Sequence, residues 1–152
     1  MLEIYEMPGH LVRRLNQVSA SLFMEETAKA GYDLTPVQYA ALSAIQATPG
    51  LDQATLANHI AYDRVTIGGV TDRLEQKGLV RREIKPNDRR ARELFLTDSG
   101  IDTLKSIRPI VWEMQSQLLS GLDERERAVF VGLLRKVVDA TNDRSRAPLR
   151  IE

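Results

Sequence analysis

The sequence predicts a mainly α-helical chain with one small β-hairpin. Apolar residues recur by threes and fours along most of its 152 residues. Alternation shows once, between Leu79 and Leu96, around the turn residues Lys85-Pro86-Asn87-Asp88. The helical stretches are punctuated by start residues (Thr35, Asp52, Asp63, Thr97, Asp123) and by stops at Gly31, Gly50, Gly78 and Gly121.

Pro8 opens a helix to Ala30 with a stripe of Leu11, Leu15, Val18, Leu22 and Phe23. Thr35, Pro36 and Gln38 form a capping-box start, and Val37, Ala41, Ala44 and Ile45 give that helix one face until Thr48-Pro49-Gly50. A short third helix follows Asp52, with Leu56, Ala57 and Ile60 inward. Ala61-Tyr62-Asp63 is a tight joint, and Asp63 caps a fourth helix to about Lys77. Strands are expected at Leu79–Ile84 and Arg92–Leu96, with Leu94 and Leu96 inward. Thr97 caps a long helix through Leu118 that Pro109 should kink, and Asp123 with Glu126 starts the last helix. The tail from Asn142 is polar and reads as frayed.

Length fits one domain with arms, and 43% hydrophobic residues suffice for a core. The absence of cysteine excludes thiol redox sensing, disulfides and zinc-thiolate sites. The two histidines, His10 and His59, lie far apart without clustered carboxylates, so no metal is expected. No apolar run approaches the ~20 residues of a membrane span, and no signal peptide is visible, so a cytoplasmic protein with no membrane association is expected. Net charge is zero, which by itself speaks against a nucleic-acid binder. The distribution speaks for one. From Arg64 to Arg92 there are nine basic residues against four acidic ones, a segment of +5 that leaves −5 for the remainder.

On a helical wheel, Ile67, Val70 and Leu74 form the inner face of the fourth helix. Val65, Gly68 and Asp72 lie opposite, edged by Arg64, Gly69 and Thr71, while Arg73 falls toward the buried side. Adjacent glycines each cost about 1 kcal/mol of helix propensity, so Gly68-Gly69 needs a reason. Close approach to another surface, here DNA, is one; close packing inside the protein is the other.

Two short helices, a joint and an arginine-tipped hairpin, in that order, read as a winged helix-turn-helix lobe over residues 34–97. The end helices, 8–30 and 98–141, are more apolar than this lobe can cover. A homodimer in which they interdigitate is the economical solution, and it presents two recognition helices to a pseudo-palindromic operator in double-stranded DNA. A monomer whose end helices fold onto its own lobe is the alternative.

Asp88-Arg89-Arg90 followed by Leu94, Leu96, Thr97 and Gly100 resembles the D-x-R…L-x-L-T-x-x-G wing signature of the MarR family of bacterial transcription regulators. Leu74-Glu75-Gln76-Lys77-Gly78-Leu79-Val80 is similar to that family's recognition-helix ending. Within the family, Leu34–Tyr39 and Asp52–Leu56 look most like regulators of aromatic-acid catabolism. The resemblance, from about Pro8 to Val138, implies a dimeric regulator, expected to be a repressor, whose DNA affinity a small molecule alters. It implies that Arg90 enters the minor groove with Asp88 orienting it, and that Arg64, Thr66 and Arg73 contact DNA; the outer face of the wheel adds Val65, Gly68 and Gly69 as candidate contacts. Arg81, Arg82, Arg89 and Arg92 are candidate phosphate contacts.

The resemblance also places an effector between platform and lobe. An aromatic carboxylate needs a cation and an apolar slot; His10, Arg13, Arg14 and Tyr39 are the candidates there. Arg13 and Arg14 as surface or dimer contacts, and Tyr39 as a core aromatic, are the competing readings. Enzyme chemistry is not expected, since no nucleophile elbow or phosphate-binding loop occurs and no cofactor is implied. A winged helix used only for protein contacts, without ligand response, is the remaining alternative, and the Arg89–Arg92 cluster opposes it.

Overall fold

The computed structural model describes residues 1–151. After a 3-10 turn at Glu3–Glu6 come α1 (Pro8–Lys29), α2 (Pro36–Ala47), α3 (Gln53–His59) and α4 (Ile67–Gln76). The hairpin strands β1 (Val80–Lys85) and β2 (Asp88–Leu96) follow, then α5 (Asp98–Leu118) and α6 (Glu124–Thr141). The caps form as the sequence requires. Thr35 accepts from the Gln38 amide while the Gln38 side chain accepts from Thr35, and Asp123 and Glu126 repeat that reciprocal pattern. Asp52 accepts from the Thr55 amide at 2.8 Å, a bond that holds its carboxyl below the ordinary carboxylate range.

The core lies inside the lobe. Leu42, Ile45, Leu56, Leu74, Leu94, Leu104 and Ile107 are fully buried, so α2, α3, α4, β2 and the first half of α5 close on one another. Phe23 and the α5 residues Val111 and Met114 extend this core to where α1 packs along α5. The loop before α3 is stitched to β2, with Gly50 N–H donating to Leu94 O and Leu94 N–H to Leu51 O.

The hairpin base and the start of α5 form one joint. Thr97 N–H donates to Leu79 O at 3.1 Å, and the Thr97 hydroxyl donates to Gly78 O. That hydroxyl also caps α5 by accepting from Gly100 N–H. A Cβ on Gly100 would stand 2.1 Å from Leu79 O, so glycine is obligatory there. The T-x-x-G half of the wing signature is thus a packing constraint.

Several expectations are corrected. Regular α4 starts at Ile67, because Asp63 Oδ1 takes the Val65 N–H and bends residues 63–66 into a turn. Thr71 is fully buried, and Arg73 is exposed rather than inward. The return strand starts at Asp88, not Arg92. Leu94 is buried and Leu96, half-buried, packs against the core, as the alternation predicts. As the sequence predicts, α5 continues past Pro109. The tail is not frayed as far as the described residues go; Glu152 lies outside them. A 3-10 turn at Asn142–Arg144 leads into a segment that Asn142 clamps through Leu149, and Arg150 N–H donates to Asn58 O at 3.0 Å.

Among the described residues, α6 has no buried side chain, and Val129, Leu133, Val137 and Val138 each keep more than half their surface exposed. An apolar cleft of about 320 Å³ opens between α1 and α6, lined by Leu11, Leu15, Leu118, Phe130 and Leu134. No helix among the described residues is long and apolar enough to cross a membrane.

Candidate nucleic-acid interface

The joint between α3 and α4 is tight because Ala61 adopts φ +51°, a left-handed conformation rare outside glycine. Tyr62 N–H donates to Ala57 O and closes the turn. The chain thereby delivers Arg64, Val65 and Thr66 to the surface, Val65 with 90% of its area exposed. These three residues stand in the turn that enters α4, one step before the helix. Arg64 Nη2 donates to Asn58 Oδ1 at 3.0 Å, which steadies its guanidinium.

Ile67, Val70, Thr71 and Leu74 hold α4 on the core, and Gly69 and Arg73 are exposed. A Cβ on Gly69 would meet nothing within 4 Å, and one on Gly68 would meet only Gln53 Nε2 at 3.8 Å. Packing within the chain therefore requires neither glycine.

Arg82 also departs from expectation. It turns inward from β1 as a brace, with side-chain exposure of 23%. Its guanidinium donates to Thr71 Oγ1 at 2.6 Å, to Gln53 Oε1 at 3.2 Å and to Asp72, and it pairs with Glu75 at 3.3 Å. Thr71 in turn donates to Gln53 Oε1 at 2.7 Å. One wing residue so fixes the angle between β1, α3 and α4. Arg81 is likewise engaged, paired with Glu83 and stacked 4.6 Å from the Phe95 ring centroid. Gln53, which enters the resemblance only within Asp52–Leu56, is the hub of this network; its position next to the cap Asp52 carries no signal of that role.

The wing tip is built by a register shift. Ile84 pairs with Arg92 but Lys85 with Asp88, so Arg89, Arg90 and Ala91 oppose no residue of β1. Asp88 Oδ1 accepts the Arg90 backbone N–H at 3.0 Å. Asp88 thus acts on the Arg90 backbone rather than on its guanidinium. Arg92 folds back to donate to Arg89 O at 2.8 Å. Between the tip and the start of α3 lies a cleft of about 390 Å³, with Arg90 and Arg92 on one wall and Asp52 and Gln53 on the other.

The four candidate effector residues are more scattered. His10, Arg13 and Arg14 lie on the first half of α1, where Arg13 bonds Gln17 at 3.1 Å and approaches His10 Nδ1 at 3.5 Å. His10 also lies 5.9 Å from the Tyr5 ring. Tyr39, on α2, packs against Phe23 with ring centroids 6.0 Å apart, at the edge of the core.

A buried three-helix lobe, an exposed turn leading into α4 and an arginine-tipped hairpin define a winged helix-turn-helix protein of the DNA-binding, transcription-regulating kind. The sequence model of the MarR family matches residues 34–91. The HTH-type transcriptional repressor NicR of Pseudomonas putida is 30% identical over 138 residues, covering 91% of this chain and 86% of NicR. The PcaV transcriptional regulator of Streptomyces coelicolor, solved in complex with its natural ligand, is 36% identical. Its TM-score is 0.83, over 93% of this chain and 98% of that one. BpsR of Bordetella bronchiseptica, whose DNA binding is regulated by 6-hydroxynicotinic acid, is 28% identical, with a TM-score of 0.83 over 91% and 98% of the two chains. The chain belongs to the MarR family of transcription regulators.

Proposed function

We propose that the chain acts as a homodimer on a pseudo-palindromic operator, represses transcription there, and is released by a small aromatic carboxylate. The observation that carries the DNA half is the shared exposure of the α4 entry and the unpaired wing arginines on one lobe. Arg64, Val65 and Thr66 meet the major groove first. Gly68 and Gly69 let the helix backbone come close, and Arg73 reaches the adjoining strand. Arg90 enters the minor groove from a backbone that Asp88 holds in place, while Arg89 and Arg92 take phosphates. The bare apolar faces of α1 and α6 support the dimer. NicR's description as a repressor and the 6-hydroxynicotinic acid response of BpsR support repression and the effector class.

In this reading Arg13 or Arg14 pairs with the effector carboxylate, His10 assists, and Tyr39 supplies an aromatic wall. Binding there shifts the two lobes relative to each other and changes the spacing of the recognition helices. The test begins with duplexes selected from a random library at moderate salt. They should share a two-fold motif whose half-sites are about one helical turn, roughly 34 Å, apart. A selected motif without symmetry, or no selection at all, overturns the reading. A panel of benzoate-like and pyridine carboxylates is then titrated against the selected duplex. At least one should raise the melting temperature and release DNA, and R13A/R14A should abolish both effects.

A further inference from the structure

The tail beyond α6 carries Arg144, Arg146 and Arg150, with no acidic residue between the first and the last. It is docked on the recognition end of the lobe. Arg150 N–H donates to Asn58 O at 3.0 Å, while Asn58 Oδ1 accepts from Arg64 at 3.0 Å. One residue at the end of α3 therefore holds the tail by its backbone and a recognition arginine by its side chain. Asp63 makes the second link. Its Oδ1 takes the Val65 N–H, and its Oδ2 pairs with Arg146 Nε at 3.3 Å. Arg146 is nevertheless 88% exposed, so the rest of its guanidinium faces solvent. Arg64, Arg146 and Arg150 share the wall of an open cleft of about 460 Å³, beside the exposed Val65.

We propose that this tail is part of the DNA interface, and that Arg146 and Arg150 clamp backbone phosphates next to the base pairs read by α4. The inference rests on the DNA-binding reading above. The cleft's form selects the ligand. It is open, and Arg64, Val65, Arg146 and Arg150 along it are all exposed. A free small anion would need an enclosing pocket with a buried cation; a duplex backbone needs an exposed row of guanidinium groups. Asp63 supports the geometry by pairing with Arg146 at the turn that enters α4, and Asn58 holds the tail against α3. The tail follows directly from α6, so a rearrangement of the end helices reaches these phosphate contacts without passing through the core.

The experiment compares the full-length protein with R146A/R150A and with R146K/R150K. It uses the duplex selected by the wild-type protein and a random duplex of equal length, at several salt concentrations. The slope of log K against log salt changes by about 0.9 for each phosphate neutralised. R146A/R150A should therefore flatten the slope by about 1.8 per chain, and extrapolation from 1 M puts the affinity loss at up to roughly 30-fold per chain at 0.15 M salt. The loss should appear on both duplexes, because phosphate contacts carry no sequence. R146K/R150K should keep most of the slope. An alanine variant with wild-type slope and affinity overturns the tail contact while wild-type binding leaves the family reading intact. Equal loss in the alanine and lysine variants overturns it too, since the tail would then act through structure. A wild-type protein that binds neither duplex removes the DNA-binding reading and this inference together.

Discussion

The lobe and the end helices are made of similarly apolar sequence and end in opposite states. In the lobe, Leu42, Ile45, Leu56 and Leu74 lose essentially all solvent contact within one chain. In α6, Leu133 and Val137 remain 59% and 60% exposed, and no side chain of that helix is buried. Periodicity alone makes both regions amphipathic helices. The difference lies in what the chain itself supplies opposite the stripe. The lobe has β2, α3 and α5 converging on α2 and α4; α6 has one flank of α1 and a cleft. The lobe is finished within one chain, and the end helices are not.

The sharpest way to break this comparison is to charge the unfinished half. L133E/V137E should leave the lobe folded and turn a dimer into monomers, seen by sedimentation with an unchanged helical signal. Specific DNA affinity should then fall toward the non-specific level, roughly 10³-fold or more. A charged variant that stays dimeric and binds as before would show that α6 is not the interface. Inside the finished half, Gly100→Ala drives a methyl into the Leu79 carbonyl, 2.1 Å from the Cβ position. Overpacking against backbone should cost about 2–3 kcal/mol of stability in denaturant titration. A fully stable Gly100→Ala protein would mean that the hairpin base yields.

Two arginines of the wing sharpen the comparison at a finer scale, because one belongs to the finished interior and the other to the surface. Arg82→Met removes the brace to Thr71, Gln53 and Asp72 while keeping an apolar stem. Stability should drop by about 1–3 kcal/mol, the range for leaving part-buried polar partners unsatisfied. The salt slope of DNA binding should stay unchanged, because Arg82 touches protein and not phosphate. Arg90→Ala should do the reverse. Melting is unaffected, and affinity falls about 6-fold per chain at 0.15 M salt with a slope flatter by about 0.9. Interchanged results would exchange the two roles.

The same division governs what the sequence could reveal. Caps, stops and stripes are local, so the helix starts at Thr35, Asp52, Thr97 and Asp123 were legible from those residues, and the hairpin from its alternation around Lys85–Asp88. The inner face of Ile67, Val70 and Leu74 was legible too, because a wheel centred on Val70 needs only one helix, but that wheel set Arg64 and Val65 on a helix that starts only at Ile67. Arg82 was not. Its charge sits in a basic run, and nothing nearby in sequence distinguishes an arginine that turns toward Asp72 from one that faces solvent. The wheel misplaced Thr71 and Arg73 because α4 is flanked on one side by Gln53 of α3, which shifts the buried arc toward Thr71. The tail was missed for a different reason. Polar composition argues for fraying, but Asn142, Asn58 and Asp63 supply hydrogen-bond and charge partners that lie up to 92 residues away in sequence or are reached only by folding.

Gly69 gives the smallest effect and the cleanest separation of stability from function. A methyl placed there meets no atom of the chain within 4 Å, so the folded lobe accepts it without repacking. Alanine is favoured over glycine inside a helix by about 1 kcal/mol. Gly69→Ala should therefore raise the melting temperature. If the outer face of α4 lies against DNA, the same methyl occupies space the duplex needs, and affinity for the selected duplex should fall while the salt slope stays constant. A lobe that becomes more stable and binds worse is the result expected of a residue kept for a partner's sake. A variant that gains stability and binds equally well would place Gly69 outside the contact, and the approach of α4 to DNA would then rest on Arg64, Val65 and Thr66.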